Sequence, residues 1–506
     1  MNDDENGQGW GRRSVLKAGL VLGVGTGSAG CTDMFRDGED PATTTPTSEL
    51  TPTASLQPEA TPTPTPKVNS TTTPTSTETP TRTPTPTNPA TSTPTSTPTP
   101  SPGQRKLAAS DGESRDSFGK SVAVADEGST ALVGAPGDAD PNGSGSVYVF
   151  SPREDRWVQD GRLVPDEGGG GDGFGRSVAV SEDATIALIG APGTDEGDTK
   201  ENVGAAYVFR RSGGTWSQVA KLEASSGTAD DWLGGSVAVT ADGSTAVVGA
   251  AGYEDTTDEA TAENLGAAYV FARRGGAWTE EVKLTADDGD DGDRFGSSVA
   301  VAGDSPTVLV GARRDEDPNG FDAGSAYVFE LTGGAWSQQA KLAASDGDRW
   351  ETFGRSVASA GDGTTALIGA SQHGAPSGRA AGAAYVFSRN VGSWSEETKL
   401  VASDGDFDDR FGRSVALSVD GTTAIVGAFQ DEDPNGDRAG SAYQFDWSTD
   451  GTWSEEVKLV ATDGDAKDNF GDSVAVSGDG ATALVGSPGD EDPNGDFAGS
   501  AYMFSL

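Results

Sequence analysis

The sequence predicts an all-β fold made of repeats, and three observations predict it. One phrase recurs seven times, beginning at Phe118, Phe174, Leu233, Phe295, Phe353, Phe411 and Phe470, at steps of 56 to 62 residues. A period of this length marks a repeat architecture before any single element is assigned. Each copy also holds short apolar runs rich in Val, Ile and aromatic residues and cut by Gly and Asp; in the copy at Phe411 they are SVAL, TAIVGA and SAYQF. Runs of this length with this punctuation read as strands. Finally, six copies close with a fourth run from a Trp to a Leu, such as WSEEVKL from Trp453 to Leu459, whereas the seventh stops at YMFSL.

Taken in order, the chain opens with an address. Arg12 and Arg13 precede Ser14-Val15-Leu16-Lys17, a twin-arginine pattern, and a Gly- and Val-rich apolar run follows that is too short to span a bilayer. It ends in Ser28-Ala29-Gly30-Cys31, which looks like a lipobox with Ser where Leu is usual. Residues 1–31 are therefore expected to be a twin-arginine lipoprotein signal region, with lipid on Cys31. Cys31 is the only cysteine, so an intramolecular disulfide is excluded. Residues 32–103 are mostly Thr, Pro and Ser, with no apolar period from which to build a core. They read as a disordered stalk that, extended at ~3.1 Å per residue, reaches on the order of 200 Å. Asn69 and Asn142 stand in glycosylation acceptor sequences, so a glycoprotein is one expectation and an unmodified linker the other.

From residue 104 onward the repeats take over. Their recurring words are Phe118-Gly119, Gly134-Ala135-Pro136 and Tyr148-Val149-Phe150, seven times with variation. The pattern resembles the FG-GAP repeat of the integrin α-chain head and of tandem-repeat prokaryotic surface proteins. That resemblance implies a seven-bladed β-propeller over residues 104–506, with a role in adhesion or ligand binding. Roughly 400 residues then form one domain, because each small sheet buries its faces only against its neighbours. Four strands per blade are expected, apolar on both faces. The seventh blade lacks its own fourth strand. Gln104-Arg105-Lys106-Leu107 stands before the first Phe-Gly as Lys458-Leu459 stands before Phe470, so residues 104–107 are expected to close the last blade and remove its open edge.

Composition limits the partners. The chain has 79 acidic and 35 basic residues, a net charge of −44 and a pI near 4.1. Such a surface repels nucleic acid and anionic lipid, so no nucleic-acid partner is expected and the membrane is met only through the lipid anchor. Acidic residues spread through every repeat read as adaptation to molar salt, which suggests a halophilic archaeal type.

Antiparallel order assigns loops to faces. The loop entering strand 1 and the 2–3 loop share one face, the top. The 1–2 turns and the 3–4 loops, with Arg210, Arg211, Arg273 and Arg274, share the other. The top loops hold most aspartates, so an acidic top and a basic bottom are expected. Four 2–3 loops read D-x-D-P-N-G: Asp138, Asp140 and Asn142; Asp315, Asp317 and Asn319; Asp431, Asp433 and Asn435; Asp490, Asp492 and Asn494. Carboxylates at alternate positions before a Gly match the start of a calcium loop. Ala326, Ala442 and Ala501 stand where its last, bidentate Glu belongs, so calcium and a plain acidic turn both remain open. The integrin relatives carry their calcium loop between strands 1 and 2, which is only a short turn here, so their metal residues do not transfer.

Tyr253, Phe321, Trp350, Phe407, Phe429 and Phe497 are top-loop aromatics suited to protein or glycan contacts. The long loop from Gly252 to Asn264 is the first candidate for a specific contact. The single histidine, His373, is expected to be a solvated loop residue, and no nucleophile motif accompanies it. The expected function is thus a non-enzymatic, lipid-anchored binding or adhesion protein on the outer face of the cell membrane. A structural component of the envelope or surface layer is the alternative, and a glycan-processing enzyme is disfavoured.

Overall fold

The computed structural model describes residues 103–506, except 126, 127, 140, 141, 155, 198, 255–263, 304–306, 375–378, 433 and 492. The expectations for the signal region, Cys31, the stalk and Asn69 lie outside the described residues.

Seven four-stranded antiparallel sheets make up the fold. In blade 4 the strands run Phe295–Val301, Thr307–Ala312, Ser325–Thr332 and Ala335–Leu342 in spatial order. The first strands of all seven blades neighbour one another round an axis, and the ring closes where Ser473–Val476 meets Ser121–Val124. Blade 7 takes its fourth strand from the other end of the domain: Arg105–Leu107 pairs with Ser500–Ser505, in the register Lys106 to Tyr502.

Strands 2 and 3 are buried almost throughout, as in TALIGA and the AAYVF that opens the next strand in blade 5. Strand 4 departs from the expectation of two apolar faces. AWSQQAKL alternates exposed and half-buried residues, because it is the outermost strand and one of its faces meets water. Each inter-blade gap holds its own apolar cluster; between blades 5 and 6 this includes Leu367, Val386, Phe411, Val426 and Tyr443. Burying a side chain of this size contributes roughly 1.5–3 kcal/mol.

The repeated glycines mark where two backbones touch. A Cβ on Gly427 would lie 2.1 Å from the carbonyl oxygen of Gly471 in the next blade, so strand 2 can carry no side chain there. Gly471 itself has φ +85°, a conformation that glycine adopts without cost. Its carbonyl accepts a hydrogen bond from Ser414 Oγ at 2.9 Å. The same contact closes the ring, with Ser473 Oγ donating to Gly119 O at 2.8 Å.

Candidate functional site: the top face

The loops that enter strand 1 and the 2–3 loops lie together and are tied side by side. Asn319 Nδ2 donates to Ala344 O at 2.9 Å, Asn435 to Ala461 O at 2.8 Å, Asn494 to Ala109 O at 3.0 Å and Asn142 to Gly168 O at 3.0 Å. Each asparagine thus staples its 2–3 loop to the following inter-blade loop, and Asn494 does so across the ring closure. Asn142 is exposed, but its amide nitrogen already serves this staple.

The first carboxylate of each D-x-D-P-N-G loop points into its blade. Asp431 is buried; Tyr443 OH lies 2.7 Å from it and Lys458 Nζ 2.8 Å. Asp404, from the loop entering the blade, completes the cluster at 2.8 Å from the same hydroxyl and 2.7 Å from the same ammonium. Burial alone would raise the Asp404 carboxyl, but Lys458 and Tyr443 hold it below the usual range. The arrangement repeats with Asp315, Asp288 and Lys341, and with Asp490, Asp463 and Lys106. In blade 1 Arg162 takes the lysine's part, 2.9 Å from Asp111 and 3.3 Å from Asp138. Asp317 donates its N–H to Asp315 at 2.8 Å; Asp140, Asp433 and Asp492 lie outside the described residues. Among the described residues no three His, Cys, Asp or Glu side chains are grouped to hold a metal ion.

His373 is not solvated. It occupies the place of Asp431 in blade 5 and is only 4 % exposed. Its Nε2 lies 2.7 Å from Lys399 Nζ and its Nδ1 2.8 Å from Glu351. Tyr253 fills the same place in blade 3, where its hydroxyl meets Lys283 Nζ at 2.6 Å. It is therefore buried, not a rim contact. Most of the loop from Gly252 to Asn264 lies outside the described residues.

The other aromatics divide in two. Phe429 is half-buried beneath the guanidinium of Arg413, 5.1 Å from its ring centroid. Phe321, Trp350, Phe407 and Phe497 are 46 %, 52 %, 69 % and 50 % exposed. Phe321 and Trp350 pack edge to face at 4.5 Å, and Trp350 N donates to Phe321 O at 2.9 Å. Trp350 and Phe407 line one cleft of about 490 Å³ with Arg349, Arg379 and Arg410. Blades 4 to 6 thus carry an aromatic edge, with guanidinium groups in the cleft that holds Trp350 and Phe407.

The FG-GAP repeat family model matches residues 103–150, 157–209, 216–271, 278–329, 336–387, 394–445 and 453–504, well over half of the chain. The chain belongs to the FG-GAP repeat family. A comparison with curated proteins gives no match. In this FG-GAP propeller the bottom face carries acids as well as arginines. The bottom 1–2 turns are capped by aspartates: Asp420 accepts from Ser418 Oγ at 2.7 Å and from Thr422 N at 3.0 Å. Many top aspartates are neutralised inside the blades, and the top centre is lined by cations.

The residue two before each Phe-Gly is a further buried acid that sequence reasoning passed over. Asp293 accepts the N–H of Asp290 at 2.7 Å, and Asp468 that of Asp465 at 2.7 Å. Burial first, then neighbouring carboxylates, push Asp293 up to about 7 and Asp409 and Asp468 up to about 6. Their folded values exceed the unfolded one, so the folded state holds the extra proton. Stability from these groups is full below about pH 4 and is lost as pH rises through 6 to 7. Asp472, held at about 2 by Arg413 and Lys120 against its burial, acts oppositely and loses its stabilisation only as pH falls from about 4 through 2. Thermal melts are expected to shift upward between pH 8 and about pH 5. Asp293→Asn should flatten part of that slope; a variant with the parent's slope would contradict the assignment.

Proposed function

We propose that this FG-GAP protein is a surface binding protein that engages a protein or glycan partner through its top face. The observation that carries the reading is the Phe321–Trp350–Phe407 edge: large rings left in water, the first two packed together and the last two in a cleft lined by arginines. Rigid aromatic and arginine side chains are those that most often dominate binding energy. The reading places the propeller outside the cell on a lipid-linked stalk, in molar salt, acting without catalysis. Calcium at the 2–3 loops is a separate proposal within it.

The test is capture by the full chain fixed to beads in molar salt, offered isolated envelope, whole cells and free glycans, with and without chelator. Saturable capture is expected. Loss with chelator would assign a metal to the 2–3 loops; capture that survives it would remove the metal and keep the binding. Absence of capture above a stalk-only control would overturn the reading in favour of an envelope structural role.

A further inference from the structure

The axis of the ring holds a cavity of about 640 Å³, lined by the starts of the seven first strands and by the residues that leave the second strands. In a chain with more than twice as many acids as bases, its charged lining is reversed: Lys120, Arg176, Arg294, Arg313, Arg355 and Arg413 face one carboxylate, Asp472. The pattern lies at one repeat position. The residue after Phe-Gly is Lys120, Arg176, Gly235, Ser297, Arg355, Arg413 and Asp472 in blades 1 to 7.

Asp472 is fully used. It holds Lys120 Nζ at 2.7 Å on one side and Arg413 Nη2 at 2.9 Å on the other. Among the described residues Arg176, Arg313 and Arg355 have no carboxylate within ion-pair distance. Arg294 stacks on Trp232 at 5.5 Å and leaves its buried Nε without a hydrogen-bond partner. Burial and then the like charges of Arg294, Arg314, Arg413 and Arg176 draw Arg313 down to about 10. Guanidinium groups gathered without counter-charge destabilise the ring unless an anion joins them.

We propose that the axial cavity is a binding site for an acidic saccharide unit, a small hydroxyl-bearing molecule with two or more carboxylate or sulfate groups. Planar guanidiniums bind such groups through paired hydrogen bonds. The volume is that of a small-ligand site. Serines 297 and 356 add hydroxyl partners that a sugar can use. Long-range repulsion by the acidic rim reaches only ~3 Å in molar salt, so it does not bar a small anion from the axis. This site is separate from the aromatic edge, and either can fail without the other.

The test is titration calorimetry of the full chain in molar potassium chloride. The probes are a disulfated disaccharide, digalacturonate, sulfate alone, neutral cellobiose and hexaglutamate. Both acidic disaccharides should bind saturably, sulfate at least about tenfold more weakly, and cellobiose not at all. Arg176→Ser with Arg355→Ser repeats what blade 4 already has at Ser297, so folding should be kept, which a melt verifies. Affinity for the disaccharides should fall about tenfold or more in this variant. It should be unchanged in Trp350→Ala. Failure of both acidic disaccharides to bind, or unchanged affinity in the double serine variant, would overturn the site. Binding of hexaglutamate as tight as that of the disaccharides would overturn the saccharide assignment.

Discussion

Removing residues 104–107 is expected to abolish a stable ring, a larger effect than any equal deletion in a surface loop. Three losses coincide. The backbone pairing of Arg105–Leu107 with Ser500–Ser505 disappears and leaves a long open edge. Leu107, buried in the cluster between blades 7 and 1, goes with it; a buried Leu truncation alone costs about 2–5 kcal/mol. Lys106 is also lost, and with it the cation 2.9 Å from both Asp463 and Asp490. Asp490 is buried, and taking the cation away from such a carboxylate costs about 3–5 kcal/mol. Neighbouring losses do not add simply, but together they approach the whole stability of an ordinary domain, about 5–15 kcal/mol. Circular dichroism melts in molar salt should show no cooperative transition near that of the parent. Lys458→Ala removes the equivalent cation inside blade 6 without opening the ring, and should keep a cooperative transition at lower temperature. A deletion variant that melts with the parent would show that the ring does not depend on its first strand.

Phe411→Ala should be the most damaging single core change, at about 3–5 kcal/mol. Phe411 is fully buried and meets Tyr443 at 5.5 Å and Phe445 at 5.9 Å, edge to face. Phe411→Leu should cost only about 1 kcal/mol, because blade 3 already packs Leu233 at this position without exposure. Denaturant unfolding of the two variants separates the causes. If Leu is as damaging as Ala, ring-to-ring contact holds the blade; if it is mild, filled volume does.

The fold was legible because the same physical requirement is written seven times. Phe-Gly sets a buried ring beside a left-handed glycine, and Gly-Ala two strands' length later leaves room for the next blade's backbone. The use of the first carboxylate in the D-x-D-P-N-G loops was hidden for a local reason. Alternate carboxylates at Asp431 and Asp433 are visible in one stretch, whereas Asp404 and Lys458, which settle the use of Asp431, lie in the flanking inter-blade loop and fourth strand. A signal was nonetheless present: Thr194, Tyr253 and His373 replace the aspartate at the same repeat position. A site that accepts hydroxyl, phenol or imidazole in place of carboxylate is one that needs a hydrogen-bonding group beside a buried tyrosine or lysine. The cationic axis escaped notice because net charge sums over the whole chain, while the residue after each Phe-Gly converges on one point only once the ring closes. The burial of His373 could not be read from QHGAPSG alone.

The top-face binding reading is tested most directly by comparing two paired variants in the bead capture. Trp350→Ala with Phe407→Ala strips the aromatic edge, and Arg210→Ala with Arg211→Ala alters the bottom face. Loss of two hot-spot rings removes about 2–4 kcal/mol or more, so capture by the first variant should fall by at least about tenfold. The second should match the parent. Equal capture by parent and aromatic variant, or loss confined to the bottom-face variant, would contradict binding through the top face.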